Sequence, residues 1–173
     1  GLGTGVRVGD VVVARELLQH DMDASPLFPR FEVPLTGRSR FPTDPDLSNA
    51  LATAALHCLQ HASERIGETH LADFGIDSPL LHQGLIVSGD RFVATAGESD
   101  ALRAALPDAL AVEMEGAALA QVCADFDRPF AVIRTVSDRA DDSAHVDFNR
   151  FIAEVASVYT REILTTWMSG AVE

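Results

Sequence analysis

The sequence predicts an α/β domain built on a largely parallel sheet. Three observations predict it. Short apolar, β-branched runs at residues 11–14, 85–87 and 129–136 alternate with longer segments whose apolar residues recur at helical spacing. The runs are almost continuously apolar, as strands covered on both faces are. Two apolar stretches also lead into ionisable residues: Ala111-Val112 into Glu113 and Glu115, and Ala131-Val132-Ile133 into Arg134 and then Ser137-Asp138. Polar groups at the end of a buried strand are either paired or part of a site, and open α/β sheets form sites beyond the carboxyl ends of their strands.

Each element follows in order. Gly1 to Gly5 is Gly-rich, but no strand precedes it and no helix follows, so it reads as a turn and not as a dinucleotide loop. It also looks like a loop in mid-fold, which predicts that part of the protein lies upstream. Residues 6–10 read as strand and turn, and 11–14 as a short buried strand. His20-Asp21-Met22-Asp23 opens a polar, Pro-rich passage containing Pro26, Pro29, Pro34 and Pro42, which cannot be helical. Its His and Asp residues lack a further ligand at metal-site spacing and read as hydrogen-bonded loop anchors. Asp44 is a candidate N-cap with Pro45 at the first helical position. Leu47, Leu51, Ala54, Ala55 and Cys58 then mark a helix running to Gly67. His57 and His61 share a face of it and read as a solvent-side pair. A strand over 80–87 leads into a tight loop at 88–93; a short helix follows over 99–106, ended by Pro107. Residues 110–112 start a strand and 115–126 a helix rich in alanine. Residues 129–136 form the most buried strand by composition. The last helix covers 147–168, with Phe148, Phe151, Ile152, Val155, Val158, Tyr159 and Ile163 as its apolar stripe.

With 173 residues the chain is long enough for one domain with a real core, and residues 1–173 are read as one domain. The net charge of −13 argues against a sequence-independent grip on nucleic acid, and it disfavours a polyanionic substrate. No apolar run reaches the roughly 18 residues of a membrane span, and no signal peptide is visible. Cys58 and Cys123 are predicted to be small core residues in a reducing, cytoplasmic setting. No metal or cofactor is expected.

The chemistry lies in the two polar strand ends. Glu113 and Glu115 would share a strand face and repel, so one is expected to bend away where the helix begins. A carboxylate there suits the vicinal hydroxyls of a ribose. Arg134 would neutralise one of them, either as part of a site or as a structural pair tying adjacent strands. Asp138, oriented by Ser137, is placed to give a proton to a leaving group; a helix-capping role stands beside that reading.

These same stretches resemble a known family. Val112-Glu113-Met114-Glu115-Gly116-Ala117-Ala118, and Arg134-Thr135-Val136-Ser137-Asp138 with Ala140 and Asp141, look like the two C-terminal signatures of the purine nucleoside phosphorylase and nucleosidase superfamily. Gly84-Leu85-Ile86-Val87-Ser88-Gly89-Asp90 with Phe92, and His20-Asp21-Met22-Asp23, are similar to its 5'-methylthioadenosine/S-adenosylhomocysteine nucleosidases. The resemblance implies a three-layer α/β/α fold with a central mixed sheet. It implies that the chain is roughly the C-terminal two-thirds of such a domain, with the N-terminal strands and the water-activating Glu upstream. It implies hydrolysis of the N-glycosidic bond of methylthioadenosine or S-adenosylhomocysteine, releasing adenine. Phosphorolysis, or nucleoside binding without turnover, are the alternatives. Asp138 would act at N7 of adenine, and Ser137 would orient it. Glu115 would hold the ribose hydroxyls and Met114 would pack on the sugar. Phe92 would stack on the base, the backbone of Val93 would read its edge, and Phe148 would close the pocket. Arg134 would hold the acidic groups in place, and Glu113, Arg134 and Ser137 would belong to the substrate-binding set. Leu27, Phe28 and Pro34 would lie at a homodimer interface and cover the neighbour's alkylthio pocket.

Overall fold

The computed structural model describes residues 1–140 and 148–170. β1 (Val11–Gln19) is the central strand of the sheet. On one edge it pairs in parallel with β3 (Leu81–Ser88), which pairs in parallel with β4 (Ala109–Glu113). On its other edge it pairs antiparallel with β5 (Ile133–Thr135) over its first residues and with β2 (Phe41–Pro42) further on. The sheet is therefore mixed, as the resemblance implied. The parallel expectation holds for β1, β3 and β4 only.

Period-two alternation sends β1 side chains to both faces, and both are covered. Val11 and Val13 join a core with Leu51, Ala55 and Cys58 of α1 (Pro45–Gln60) and Tyr159 and Ile163 of α7 (Ser157–Ser169). Val12, Ala14 and Leu17 pack on the other side against Ala117 and Ala120 of α5 (Gly116–Asp125). Helices on both sheet faces give the three layers. Alanines at 117 and 120 explain how α5 sits so close, since only small side chains intervene.

α1 starts as its sequence dictates: the Asp44 carboxylate accepts the Leu47 N–H at 2.9 Å and Pro45 takes the first turn. The predicted single helix to Gly67 is broken at His61. Its Nδ1 meets the His57 carbonyl at 2.8 Å and its ring stacks on that of His57, 4.7 Å between centroids. α2 (Ala62–Ile66) continues to Gly67, whose φ of 97° ends it, and α3 (Glu68–Asp73) follows. α4 (Ala96–Ala105) begins three residues earlier than expected because Thr95 caps it, accepting the Glu98 N–H at 3.3 Å.

Three expectations are corrected. Residues 6–8 form no strand: the buried Asp10 carboxylate draws the Arg7 N–H into a turn at 2.9 Å and also accepts from Leu80 N and His82 Nε2, each at 2.8 Å. β5 is three residues long and half-buried, so apolar composition overstated its cover; only the flanking Val132 and Val136 are fully enclosed. Cys123 is half-buried, unlike the buried Cys58. In the last helical segment α6 (Phe148–Phe151) leads through a π-helical stretch (Ile152–Ala156) into α7. The predicted start at Asp147, and Asp141 of the second signature, lie outside the described residues.

Candidate active site

β4 and β5 lie on opposite sides of the β3–β1 pair, yet the sheet curls enough for their residues to meet across one cavity of about 830 Å³. Site formation thus differs from the expected picture of two parallel carboxyl ends. β5 runs antiparallel to β1, and its Arg134 and Ser137-Asp138 approach β4 from across the curl. Nor does the Arg134–Glu113 pair tie adjacent strands; it spans two intervening ones.

The two glutamates diverge, as repulsion and the helix start required. The Glu113 side chain is 10% exposed, whereas Glu115 turns outward at the N-cap of α5 with 76% of its side chain exposed. Glu113 is saturated with donors. It accepts the Gly116 N–H at 2.9 Å, the Glu115 N–H at 3.2 Å, the Ser88 hydroxyl, and Arg134 through Nε at 3.1 Å and through Nη2. Burial alone would push its carboxyl up. The Ser88 hydroxyl, the Arg134 guanidinium and the Gly116 N–H outweigh that and hold it below the usual glutamate range. Glycine fits closely at 116: a Cβ there would stand 3.0 Å from Leu17 and 3.1 Å from the Glu113 carboxylate, so one of them would have to give way. Among the described residues Glu115, by contrast, touches only the far nitrogen of Arg134, at 3.5 Å, so its oxygens face the cavity with acceptor capacity to spare.

On β5's side, the Ser137 hydroxyl donates to Asp138 Oδ2 at 2.7 Å, and the Ala140 N–H donates to Oδ1 at 2.7 Å. The second bond closes an Asx turn. Asp138 caps none of the described helices. Phe92, Val93, Met114 and Phe148 supply apolar surface to the same cavity. Phe92, Met114 and Phe148 stay between 38% and 46% exposed.

The cavity therefore gathers Phe92, Val93, Glu113, Met114, Glu115, Arg134, Ser137, Asp138 and Phe148. Leu27, Phe28 and Pro34 do not line it; Leu27 is 84% exposed on the Pro-rich loop. His20 to Asp23 acts as a loop anchor: the Asp21 carboxylate accepts the Asp90 N–H at 2.7 Å, and Asp23 accepts the Ser25 N–H at 3.0 Å.

Sequence reasoning missed two contributors. Ser88 donates to Glu113 and accepts the Ala117 N–H at 2.7 Å, so it locks β3, β4 and α5 together. Its signal was present, a hydroxyl at the carboxyl end of a buried strand. Ile152, Ala156 and Thr160 form one cavity wall. Their four-residue spacing is a helical stripe, but beside the core stripe of the same helix it carried no separate signal.

Comparison with known proteins places this geometry. The family model described as the phosphorylase superfamily matches residues 1–167. The chain belongs to the phosphorylase superfamily. Among curated relatives, it is 33% identical over 156 residues to the 5'-methylthioadenosine/S-adenosylhomocysteine nucleosidase of Anoxybacillus flavithermus (strain DSM 21510 / WK1), covering 90% of this chain and 60% of that protein. Among solved structures, it resembles the 5'-methylthioadenosine/S-adenosylhomocysteine nucleosidase of Neisseria meningitidis in complex with methylthio-immucillin-A. The TM-score is 0.75 at 36% identity, over 96% of this chain and 65% of that one. It also resembles the S-adenosylhomocysteine nucleosidase of Streptococcus pyogenes in complex with 5-methylthiotubericidin, with a TM-score of 0.76 at 30% identity, over 98% and 63% of the two chains. The chain thus spans less than two thirds of the length of these superfamily members.

Proposed function

We propose that this chain carries the base- and ribose-binding part of a nucleosidase that hydrolyses 5'-methylthioadenosine, S-adenosylhomocysteine or both, releasing adenine. One observation carries the reading. A single cavity holds one carboxylate with spare acceptor capacity, Glu115, and a second one, Asp138, flanked by a serine, with aromatic surface from Phe92 and Phe148. The relatives named above, which are nucleosidases, two of them in complex with ligands, support it.

In this reading adenine stacks on Phe92 and its edge meets the backbone of Val93. The bond from the sugar carbon to the base nitrogen breaks with its electron pair going to adenine. Asp138, oriented by Ser137, delivers a proton to N7, which relieves the charge building on the leaving base. Glu115 accepts hydrogen bonds from the ribose hydroxyls and stabilises the positive charge building on the sugar. Met114 packs on the ribose, and Phe148 shields the site. Water then adds its oxygen to the sugar carbon and loses a proton to solvent, from which Asp138 regains the proton it gave to adenine, so the products are adenine and the 5-thio-substituted ribose. Glu113 does not touch substrate: Arg134, Ser88 and the start of α5 consume its hydrogen-bonding capacity, and it serves to hold Arg134 and the α5 N-terminus in place.

We further infer a homodimer and a cytoplasmic setting. Leu119, Val122 and Phe126 form an exposed apolar stripe on α5, and Leu27 and Leu35 are exposed on the Pro-rich loop. An apolar surface of this kind supports association with a second copy. Leu27, Phe28 and Pro34 would then reach the neighbour's site. No helix among the described residues is long and apolar enough to cross a membrane. The enzymatic test is adenine release from methylthioadenosine and S-adenosylhomocysteine in phosphate-free buffer and in phosphate. Release without phosphate, yielding free sugar, is the expected result. Turnover that needs phosphate and yields ribose 1-phosphate would overturn the hydrolase reading.

A further inference from the structure

We propose that the first turn of α4 braces the site, with Ser99 as a positioning residue for Asp138; this rests on the nucleosidase reading. Ser99 is fully buried, and its hydroxyl donates to the carbonyl of Ala140. Ala140 is itself buried and sits at φ 51°, a left-handed conformation that a side-chain-bearing residue adopts only when its surroundings impose it. That conformation turns the Ala140 N–H back onto Asp138 Oδ1 at 2.7 Å. With Ser137 on Oδ2, both carboxylate oxygens of Asp138 are fixed. The chain of cause runs from the Ser99 hydroxyl to the Ala140 carbonyl, from the Ala140 conformation to its N–H, and from that N–H to the rotation of the Asp138 carboxyl.

The neighbouring residue ties in the other half of the base pocket. The Glu98 carboxylate accepts the Thr95 hydroxyl at 2.9 Å, the Ala94 N–H at 3.3 Å and Arg91 Nη2 at 3.1 Å. Phe92 and Val93 lie between these anchors. Two consecutive residues of one helix thus hold the stacking loop and the acid turn in fixed relation. Helix placement is more exact than loop placement, which is what a base gripped between a ring and a proton donor requires. A serine at a fully buried helix position is otherwise hard to explain, since alanine would pack there without a polar group to satisfy.

Ser99→Ala removes the donor and Ser99→Thr keeps it. The test compares kcat and KM for methylthioadenosine in both variants, and hydrogen exchange of the Ala140 amide by NMR in the absence of substrate. Ser99→Ala is expected to lower kcat about tenfold, the worth of one buried hydrogen bond, to leave KM within about twofold, and to speed Ala140 exchange at least about tenfold. Ser99→Thr is expected to restore most of kcat. Unchanged Ala140 exchange in Ser99→Ala would overturn the brace, whether or not the chain turns substrate over. Faster exchange with kcat and KM both unchanged would overturn the positioning role. Failure of the wild type to bind methylthioadenosine in calorimetric titration, with Ala140 exchange responding as expected, would overturn the nucleosidase reading and leave the brace standing.

Discussion

Glu113→Gln and Glu115→Gln should have opposite consequences, although the two residues are separated by one position. Glutamine keeps the shape of Glu113 and removes its charge. One of its terminal groups becomes an amide nitrogen that must face donors, and the carboxylate now accepts from Ser88, Glu115 N, Gly116 N and Arg134. Charge-assisted hydrogen bonds contribute about 1.5–3 kcal/mol each. Stranding a buried partner costs about 3–5 kcal/mol. Arg134 retains 37% of its side-chain exposure and water repays part of this, so the net loss should be about 2–3 kcal/mol. For a chain of this size, that is a fall in Tm of roughly 4–12 °C. Glu115→Gln removes only a long, exposed contact with Arg134, and exposed pairs are worth about 0–1 kcal/mol. Its Tm should stay near that of wild type, while affinity for a ribose-bearing adenine ligand drops. Thermal unfolding followed by circular dichroism, with calorimetric titration of methylthioadenosine, measures both. A Glu113→Gln protein within about 0.5 kcal/mol of wild type would refute the argument, because a carboxylate with that many donors cannot be neutralised without cost.

Three further outcomes follow from the same structure. Asp138→Asn keeps an oxygen to accept the Ala140 N–H and can turn its amide N–H toward the Ser137 oxygen, but it cannot deliver a proton; kcat should fall about 10²–10⁴-fold with ligand binding partly kept, and wild-type turnover would remove the acid role. Tyr159 is fully buried, burial pushes its hydroxyl pKa up, and that hydroxyl has no hydrogen-bond partner among the described residues. Tyr159→Phe should therefore be neutral or stabilising, and a loss above about 1.5 kcal/mol in urea unfolding would show that a partner exists. Acid should destabilise the fold in two stages. Burial holds His20 below the ordinary histidine value, so its contribution is complete above about pH 6.5 and is lost as pH falls through its lowered pKa. Glu113 is also depressed, so its contribution is complete above about pH 4.3 and is lost further down. Urea midpoints from pH 7 to 3 should show both stages, and His20→Gln should abolish the first; an unchanged first stage in that variant would assign it elsewhere.

The layered fold was legible because its determinants are local. Alternation of apolar runs with helical stripes gave the order of elements, and Asp44-Pro45 marked the start of α1 to the residue. The direction of β5 was not legible. Only three of its residues pair, and which edge of β1 accepts them depends on contacts more than a hundred residues apart in sequence. The limits of the strand at 129–136 failed for a related reason: apolar composition reports burial of side chains, and the backbone pairing that defines a strand needs a partner.

The glutamates show where a sequence pattern stops carrying functional meaning. Positions two apart on a strand share a face, and on that rule Glu113 and Glu115 are equivalent. What separates them is the start of α5. Its first amides point back at Glu113 and claim its oxygens, while the chain's turn into the helix throws Glu115 outward. Gly116 is the residue that permits this, since any larger side chain would press on the Glu113 carboxylate and on Leu17. In the Glu-x-Glu-Gly pattern here, the first carboxylate is part of the scaffold and the second keeps spare acceptor capacity. Gly116→Ala therefore perturbs the scaffold glutamate first, and any loss of ligand affinity it causes should come with a loss of stability, whereas Glu115→Gln should separate the two.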